Sequence, residues 1–199
     1  GARGAPRRPP VPSPTLWRSD GAARVVTVVD DPTDAAAFSA TATDGEGLAT
    51  RHNVLIDGGR LDRFVHNSHT ARRAGTVSTG SAVRGYASTP GVGVQAVSLL
   101  PGPRRPADLI AGIDDGILVQ GVSGLHSGVN PVSGDFSTGA EGLRIRRGEL
   151  AEPVREFTIA STIQRMLHEI REVADDLEWL PMNAAGVTVV IGELTVSGI

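Results

Sequence analysis

Residues 123–159 decide the fold of this chain, and they read SGLHSGVNPVSGDFSTGAEGLRIRRGELAEPVREFTI. The first part, Ser127–Thr138, is crowded with Gly, Ser, Asn and Asp, the residues that turns require. Leu143–Leu150 then predicts a β-hairpin around Arg147-Gly148, and the PVRE step after it is followed by a helix start. A loop so rich in small polar residues between strand signals predicts a surface with a defined shape.

Strand signals extend outward from this stretch on both sides. Asp57-Gly58-Gly59 separates two predicted strands, which is a strong hairpin signal. Residues 75–93 are rich in Gly, Ser and Thr and predict a long loop. The predicted strands are Arg24–Val29, Arg51–Ile56, Arg60–His66, Gly93–Leu100, Gly116–Val122 and Gly186–Val196.

Helical signals are fewer. Ser68–Ala74 predicts one helical turn ended by Gly75, and Pro106–Asp115 predicts a short helix with one apolar face. The clearest pattern is Ser161–Leu177, where Ser161 and Gln164 suggest a capping box and apolar residues follow the helical period. Several hairpins and about two packed helices predict an α+β domain with a mostly antiparallel sheet.

The composition excludes several classes of protein. The chain has 199 residues, enough for one domain, and a net charge of −3, which favours neither nucleic acid nor an anionic membrane surface as partner. No apolar run approaches the length of a membrane span, and the absence of cysteine excludes disulfides and thiolate metal sites. These features are compatible with a cytoplasmic protein.

The N-terminal segment differs from the remainder of the chain. Residues 1–23 are rich in Pro, Arg and Gly and show no apolar period. Such a composition buries too little apolar surface to offset the entropy of ordering, so it predicts a disordered arm. Binding of this arm to a partner as polyproline II is the alternative. The domain itself is expected to cover residues 24–199.

The motif in residues 127–159 resembles the C-terminal domain of the TldD/PmbA (TldE) metallopeptidase family, in which SGxNPxSGDFSxGAxG and PVREFTIA are typical. The matching residues here are Ser127, Gly128, Asn130, Pro131, Ser133, Gly134, Asp135, Phe136, Ser137, Gly139, Ala140, Gly142, Gly148, Pro153, Val154, Arg155, Glu156, Thr158 and Ile159. The resemblance begins near Val25. Family members carry a long N-terminal region before that point, so we expect this chain to be a partial form.

The resemblance implies a metal site, but its ligands are not found in this sequence. TldD-type members place His-Glu-x-x-x-His on one helix, whereas His168-Glu169 is followed by no second histidine. The position of the family's C-terminal cysteine is taken by Ala185, whose methyl group cannot bind a metal. The resemblance is therefore closest to the PmbA/TldE branch, which acts as the non-metal partner of a TldD-type subunit. We expect no metal, no cofactor and no catalytic residue in this chain.

Two other sets of side chains are candidates for metal binding or nucleophilic catalysis. His66 and His69 have a spacing that can serve a metal, but no third ligand is apparent. Ser127, Ser133 and Ser137 lack the Gly-x-Ser-x-Gly elbow of a serine nucleophile, and His126 is the one histidine nearby. A surface or structural role is the better interpretation for both sets.

The leading hypothesis is the C-terminal domain of a PmbA/TldE-like subunit that acts with a TldD-type metal-bearing subunit, or with itself, on peptides or unfolded segments. An inactive truncated remnant with a structural or interaction role is the alternative. A metallohydrolase that uses His66 and His69 is the third. The candidate partner or substrate surface comprises Ser127, Gly128, Asn130, Gly134, Asp135, Ser137 and Gly139. The competing interpretation is that these glycines serve turns alone.

Overall fold

The structure, a computed structural model, describes residues 21–198 and shows an α+β domain with a mostly antiparallel sheet. The fold class predicted from the sequence is therefore confirmed. In this range the helices are α1 Ser68–Ala74, α2 Pro106–Ile110, α3 Leu125–Gly128 and α4 Ile163–Glu169. The strands are β1 Val28–Asp30, β2 Asn53–Asp57, β3 Arg60–Leu61, β4 Ala82–Val83, β5 Gly91–Val92, β6 Val97–Leu99, β7 Asp115–Ser123, β8 Asp135–Arg146, β9 Glu149–Thr162, β10 Ile170–Val173, β11 Glu178–Trp179, β12 Ala185–Gly186, β13 Val189–Ile191 and β14 Thr195–Ser197.

Two four-stranded sheets dominate the fold. One has the strand order β3-β2-β1-β6. The other has the order β14-β9-β8-β7, and we call it the large sheet because β7, β8 and β9 are long. The strand pairs within both sheets are antiparallel. Three two-stranded ladders, β4-β5, β10-β13 and β11-β12, complete the pairing in the part of the chain that the structure describes.

Both predicted hairpins are present. In the first, Asp57 pairs with Arg60 across the two glycines, as the Asp-Gly signal indicates. In the second, Arg146 pairs with Glu149 across Arg147-Gly148. The predicted helix at Ser68–Ala74 is also found, and it ends at Gly75.

The helix predicted for Ser161–Leu177 is wrong over most of its length. Strand β9 continues to Thr162, which caps α4 by accepting a hydrogen bond from the Arg165 N–H, so Ser161 is not the cap. The helix ends at Glu169, and β10 follows at once. The residues of β10 pair with β13, and pairing of β-branched side chains in a sheet outweighs the helical spacing of the apolar residues.

The final strand predicted for Gly186–Val196 is divided among three sheets. Strand β12 pairs with β11, β13 pairs with β10, and β14 joins the large sheet beside β9. The break between β13 and β14 occurs at Gly192, whose N–H donates to the Glu169 carbonyl at 2.8 Å. The residue pattern of Gly186–Val196 does not show which strand each part of it will pair with.

Helix α2 is shorter than predicted, since it ends at Ile110 instead of Asp115. The loop predicted for residues 75–93 contains the short β4-β5 ladder. No helix among residues 21–198 is long and apolar enough to cross a membrane.

The predicted arm covers residues 1–23, of which 1–20 lie outside the described residues. Gly21 and Ala22 donate their N–H groups to the Gly59 carbonyl at 2.8 and 3.0 Å. Ala23 donates to the Leu167 carbonyl at 2.9 Å, and Ala22 is buried. These three residues therefore pack with the folded domain.

Two apolar clusters stand out among the buried residues that the structure describes. The first has the buried residues Ala22, Val26, Ile170 and Val173, with Leu167 and Val189 packed against it. The second lies in the large sheet and has the buried residues Ala140, Phe157 and Ile159. The large sheet therefore carries its own core, on which the candidate site is built.

We expect the substitution Leu167→Ala to lower the free energy of unfolding by about 1–2 kcal/mol, because Leu167 contacts the first cluster but remains partly exposed. A fully buried leucine in a long helix, as the sequence suggested, would cost about 2–5 kcal/mol. Arg171→Ala is the control and should change the stability by less than about 0.5 kcal/mol, because Arg171 is exposed. Equal effects in urea denaturation would contradict this placement of Leu167.

Candidate functional site

The loop predicted from Ser127–Thr138, which carries most of the candidate surface residues, borders an open groove at one end of the large sheet. The groove has a volume of about 840 Å³ and lies between α3, the loop after it and the paired strands β8 and β9. Five of the seven residues predicted from the sequence line it: Ser127, Gly128, Asn130, Asp135 and Ser137. Val129, Pro131, Phe136 and Ser161 line it as well.

Asn130 organises the loop from within. Its Oδ1 accepts hydrogen bonds from the N–H groups of Val132 at 2.9 Å and Ser133 at 3.2 Å. Its own backbone N–H donates to the Asp135 carbonyl, and its carbonyl accepts from the Gly134 N–H, both at 2.8 Å. This Asx turn is the local structure that asparagine favours, so the residue type follows directly from the backbone path.

Two glycines allow the loop to approach its neighbours closely. A Cβ at Gly128 would overlap the backbone carbonyl oxygen of Ser137 in β8. Gly134 has φ +80°, and a Cβ there would overlap the side chain of Gln164 at the start of α4. The Ile163 N–H also donates to the Gly134 carbonyl at 2.8 Å. The loop is therefore held against both β8 and α4, and the groove keeps a fixed shape.

The remaining predicted residues lie in or beside β8. Asp135 accepts a hydrogen bond from the Ser133 hydroxyl at 2.6 Å. Ser137 pairs with Ala160 of β9. Gly139 pairs with Ser123 of β7 and is further along the strand, so Gly134 and Gly139 shape the site without lining the groove.

Ser161 is the lining residue whose role the sequence did not suggest. Its Oγ is buried and has no hydrogen-bond partner among residues 21–198. A buried hydroxyl without a partner is unfavourable, and a ligand in the groove would reach it only after the wall rearranges. The capping-box pattern predicts a helix terminus at Ser161, so the sequence does not indicate its place in the groove wall.

Apolar side chains flank the polar groove. Val132 is 93% exposed at the tip of the loop, and Leu125 is 50% exposed on α3. Exposed apolar side chains beside a cleft lose contact with water when a partner covers them, which favours binding.

Strand β7 leads directly into this region. It is nine residues long and forms one edge of the large sheet, since in the described fold it pairs with β8 alone. Val119 and Val122 on it are 37% and 43% exposed. A long edge strand offers unpaired backbone groups to an incoming strand.

The hydroxyl groups of Ser127 and Ser133 have structural partners. The Ser127 Oγ donates to the Gly124 carbonyl at 3.2 Å and the Ser133 Oγ to Asp135. No hydrogen bond joins His126 to any of these serines within residues 21–198. The arrangement is suited to binding, whereas an activated serine requires a base within hydrogen-bonding reach.

The donor set does not fit the metal that the family resemblance implies. Among residues 21–198 no group of three or more His, Asp or Glu side chains is placed to hold a metal ion. His66 precedes the cap of α1 and bonds Thr70 through Nδ1 at 3.2 Å, while His69 lies on the helix. Ala185 is paired with Trp179 in the β11-β12 ladder and offers no ligand atom.

Comparisons with known proteins confirm the family that the motif in residues 127–159 indicates. Residues 20–198 match the family model for the PmbA/TldA metallopeptidase C-terminal domain. The metalloprotease PmbA homolog of Haemophilus influenzae is 31% identical over 163 residues, which cover 81% of this chain and 33% of that protein. The chain thus spans about a third of the length of the curated relatives it matches.

Solved structures show the same fold. TldE from Thermococcus kodakarensis superposes with a TM-score of 0.84 at 32% identity, over 93% of this chain and 43% of that one. A Thermotoga maritima protein, described as a candidate modulator of a DNA gyrase, gives a TM-score of 0.85 at 29% identity, over 93% and 42% of the two chains.

Proposed function

This chain belongs to the PmbA/TldD metallopeptidase family through its C-terminal domain, and from that premise we propose that it supplies the peptide-binding and partner-binding surface of a PmbA/TldE-like subunit. The subunit would act with a metal-bearing TldD-type subunit on peptides or unfolded segments. This chain would contribute no metal ligand. The observation that carries the proposal is the continuous surface formed by edge strand β7 and the groove at its C-terminal end.

The geometry favours an extended polypeptide as the bound partner. A peptide strand can add to the free edge of β7 by backbone hydrogen bonds, which need no particular sequence. Val119 and Val122 would contact alternate side chains of that peptide. At the end of β7, Ser123 leads to Gly124 and α3, where the groove begins. The buried Ser161 hydroxyl, at the end of β9, belongs to the wall of this groove.

The proposal predicts that peptide hydrolysis appears only when this chain is mixed with a TldD-type subunit. The metal route requires a Lewis acid and an activated water, and the proposal assigns both to the partner. Val119→Lys should lower the activity of the mixture by about tenfold, because a charged lysine at an edge disfavours strand addition. The measurement is the initial rate of cleavage of an unfolded peptide by the purified mixture.

Val92→Lys is the matched control, since Val92 is also 37% exposed on a strand but lies in the separate β4-β5 ladder. It should leave the rate unchanged. Gly134→Val should also weaken the activity of the mixture, because a β-branched residue is strained at φ +80° and would change the shape of the loop. Activity of this chain alone, surviving chelation and removal of contaminating proteases, would overturn the proposal. A mixture that neither associates nor gains activity would favour the inactive remnant instead.

A further inference from the structure

A second concave site lies on the other four-stranded sheet. This cleft has a volume of about 440 Å³, within the range of pockets that hold small ligands. One wall is formed by residues 51–53 at the start of β2 and another by residues 61–66 after β3. Residues 74–79, which follow α1, close the third side. We call it the Arg51 cleft.

The walls of the Arg51 cleft are tied together. Asn53 is 1% exposed, and its Nδ2 donates to the Arg51 carbonyl at 3.1 Å and to the Thr79 carbonyl at 3.2 Å. The His66 N–H donates to the Thr79 Oγ1 at 2.7 Å, and the Thr79 N–H donates back to the His66 carbonyl at 3.1 Å. A site held in this way loses little conformational freedom when a ligand enters.

The charges of the Arg51 cleft favour an anion, although the chain as a whole has a net charge of −3. Arg51 and Arg63 line it, and Asp62 is the one acidic residue among the lining side chains. Arg63 is paired with Asp62 at 3.0 Å. The guanidinium of Arg51 has no hydrogen bond or ion pair within residues 21–198, so it is the group available to an incoming carboxylate.

Two imidazoles line the same cleft. His52 bonds the Asp31 carboxylate at 2.8 Å and His66 bonds Thr70 at 3.2 Å, each through Nδ1. Partial burial raises the pKa of Asp31, but hydrogen bonds from Thr33 and His52 outweigh it and hold this pKa below its ordinary value. Neither Nε2 is hydrogen-bonded within the described residues, so both remain available to a ligand.

The cleft also has an apolar part. Leu61, Phe64 and Val77 line it, and Phe64 and Val77 are 46% and 71% exposed. An inorganic anion would leave these side chains in contact with water, whereas a ligand with an apolar body would cover them.

From the free guanidinium and the apolar wall, we infer that the Arg51 cleft binds the C-terminal residue of a peptide, with its free carboxylate on Arg51 and an aliphatic side chain against Leu61 and Val77. This binding site is separate from the β7 edge and the groove beside it. It does not depend on the proposed function, because it concerns recognition of a chain end and not cleavage.

The test is isothermal titration of the purified chain with acetyl-Ala-Leu, whose carboxylate is free, and with the same dipeptide as its C-terminal amide. The free acid should bind, and the amide should bind about tenfold more weakly or worse, since it cannot form the charge-assisted hydrogen bonds. Arg51→Gln should weaken the binding of the acid to a similar degree. Arg84→Gln is the matched control and should have no effect, since Arg84 is exposed and lies outside the cleft.

Three outcomes would overturn the inference: no binding of the acid at millimolar concentration, equal affinity for acid and amide, or unchanged affinity in Arg51→Gln. Decanoate that binds as well as the dipeptide would assign the cleft to fatty acids and not to peptide ends. Circular dichroism of Arg51→Gln checks that the variant is folded. Since Arg51 is an exposed residue, we expect it to fold normally.

Discussion

Phe157→Ala should lower the free energy of unfolding by about 3–5 kcal/mol, which is typical for truncation of a buried phenylalanine. Phe157 is 1% exposed and lies opposite Ala140 in the β8-β9 pair. It is the largest side chain of the second apolar cluster, and its neighbour Ala140 is too small to fill the cavity left behind. Urea denaturation followed by circular dichroism measures the loss.

The same substitution at Phe38 is the control, because Phe38 is 73% exposed. It should change the stability by less than about 0.5 kcal/mol. If the two variants unfold at the same urea concentration, the large sheet does not depend on a core around Phe157. An unchanged dependence of the unfolding free energy on urea would show that both variants still unfold as whole domains.

Gly128→Ala should destabilise the protein by about 1–3 kcal/mol, the usual cost of forcing an atom into filled space. The new Cβ would overlap the Ser137 carbonyl oxygen and lie 3.1 Å from the Thr138 Cγ2. Relief of this overlap requires α3 to move away from β8. Since both elements line the groove, the substitution should also weaken any binding that occurs there.

Gly186→Ala is the matched control for Gly128→Ala. A Cβ at Gly186 has no atom within 4 Å, and its φ is not positive. This substitution should be neutral or stabilise the chain by up to about 1 kcal/mol, because alanine restricts the unfolded state. The two variants should therefore shift the urea midpoint in opposite directions. A neutral result at Gly128 would contradict the close approach of α3 to β8.

The two concave sites imply different uses of the domain. The groove beside β7 has polar walls, flanking apolar side chains and an adjacent free strand edge, so it suits the middle of an extended chain. The Arg51 cleft is smaller and carries a free guanidinium, so it suits a chain end. The free-acid and amide dipeptides distinguish these uses, because strand addition to β7 does not require a carboxylate.

The amino-acid sequence by itself determined the family, the α+β class and the local structures that depend on neighbouring residues. The Asp57-Gly58-Gly59 and Arg147-Gly148 hairpins and the helix at Ser68–Ala74 are confirmed, because turn and cap chemistry acts within a few residues. The motif in residues 127–159 identified the family that the comparison then confirmed over residues 20–198. It also located five residues that line one groove.

The tertiary structure alone decided which elements pair over long distances. Ile170–Val173 has a helical apolar period, yet it is a strand because β13 offers it a partner. Gly186–Val196 is predicted to be one strand, yet it is divided among three sheets. The Arg51 cleft joins residues 51–53, 61–66 and 74–79, whose proximity depends on Asn53 and Thr79 in the folded chain. The apolar periodicity of a sequence indicates which side chains will be buried. Contacts between distant residues determine the strands and loops that bury them.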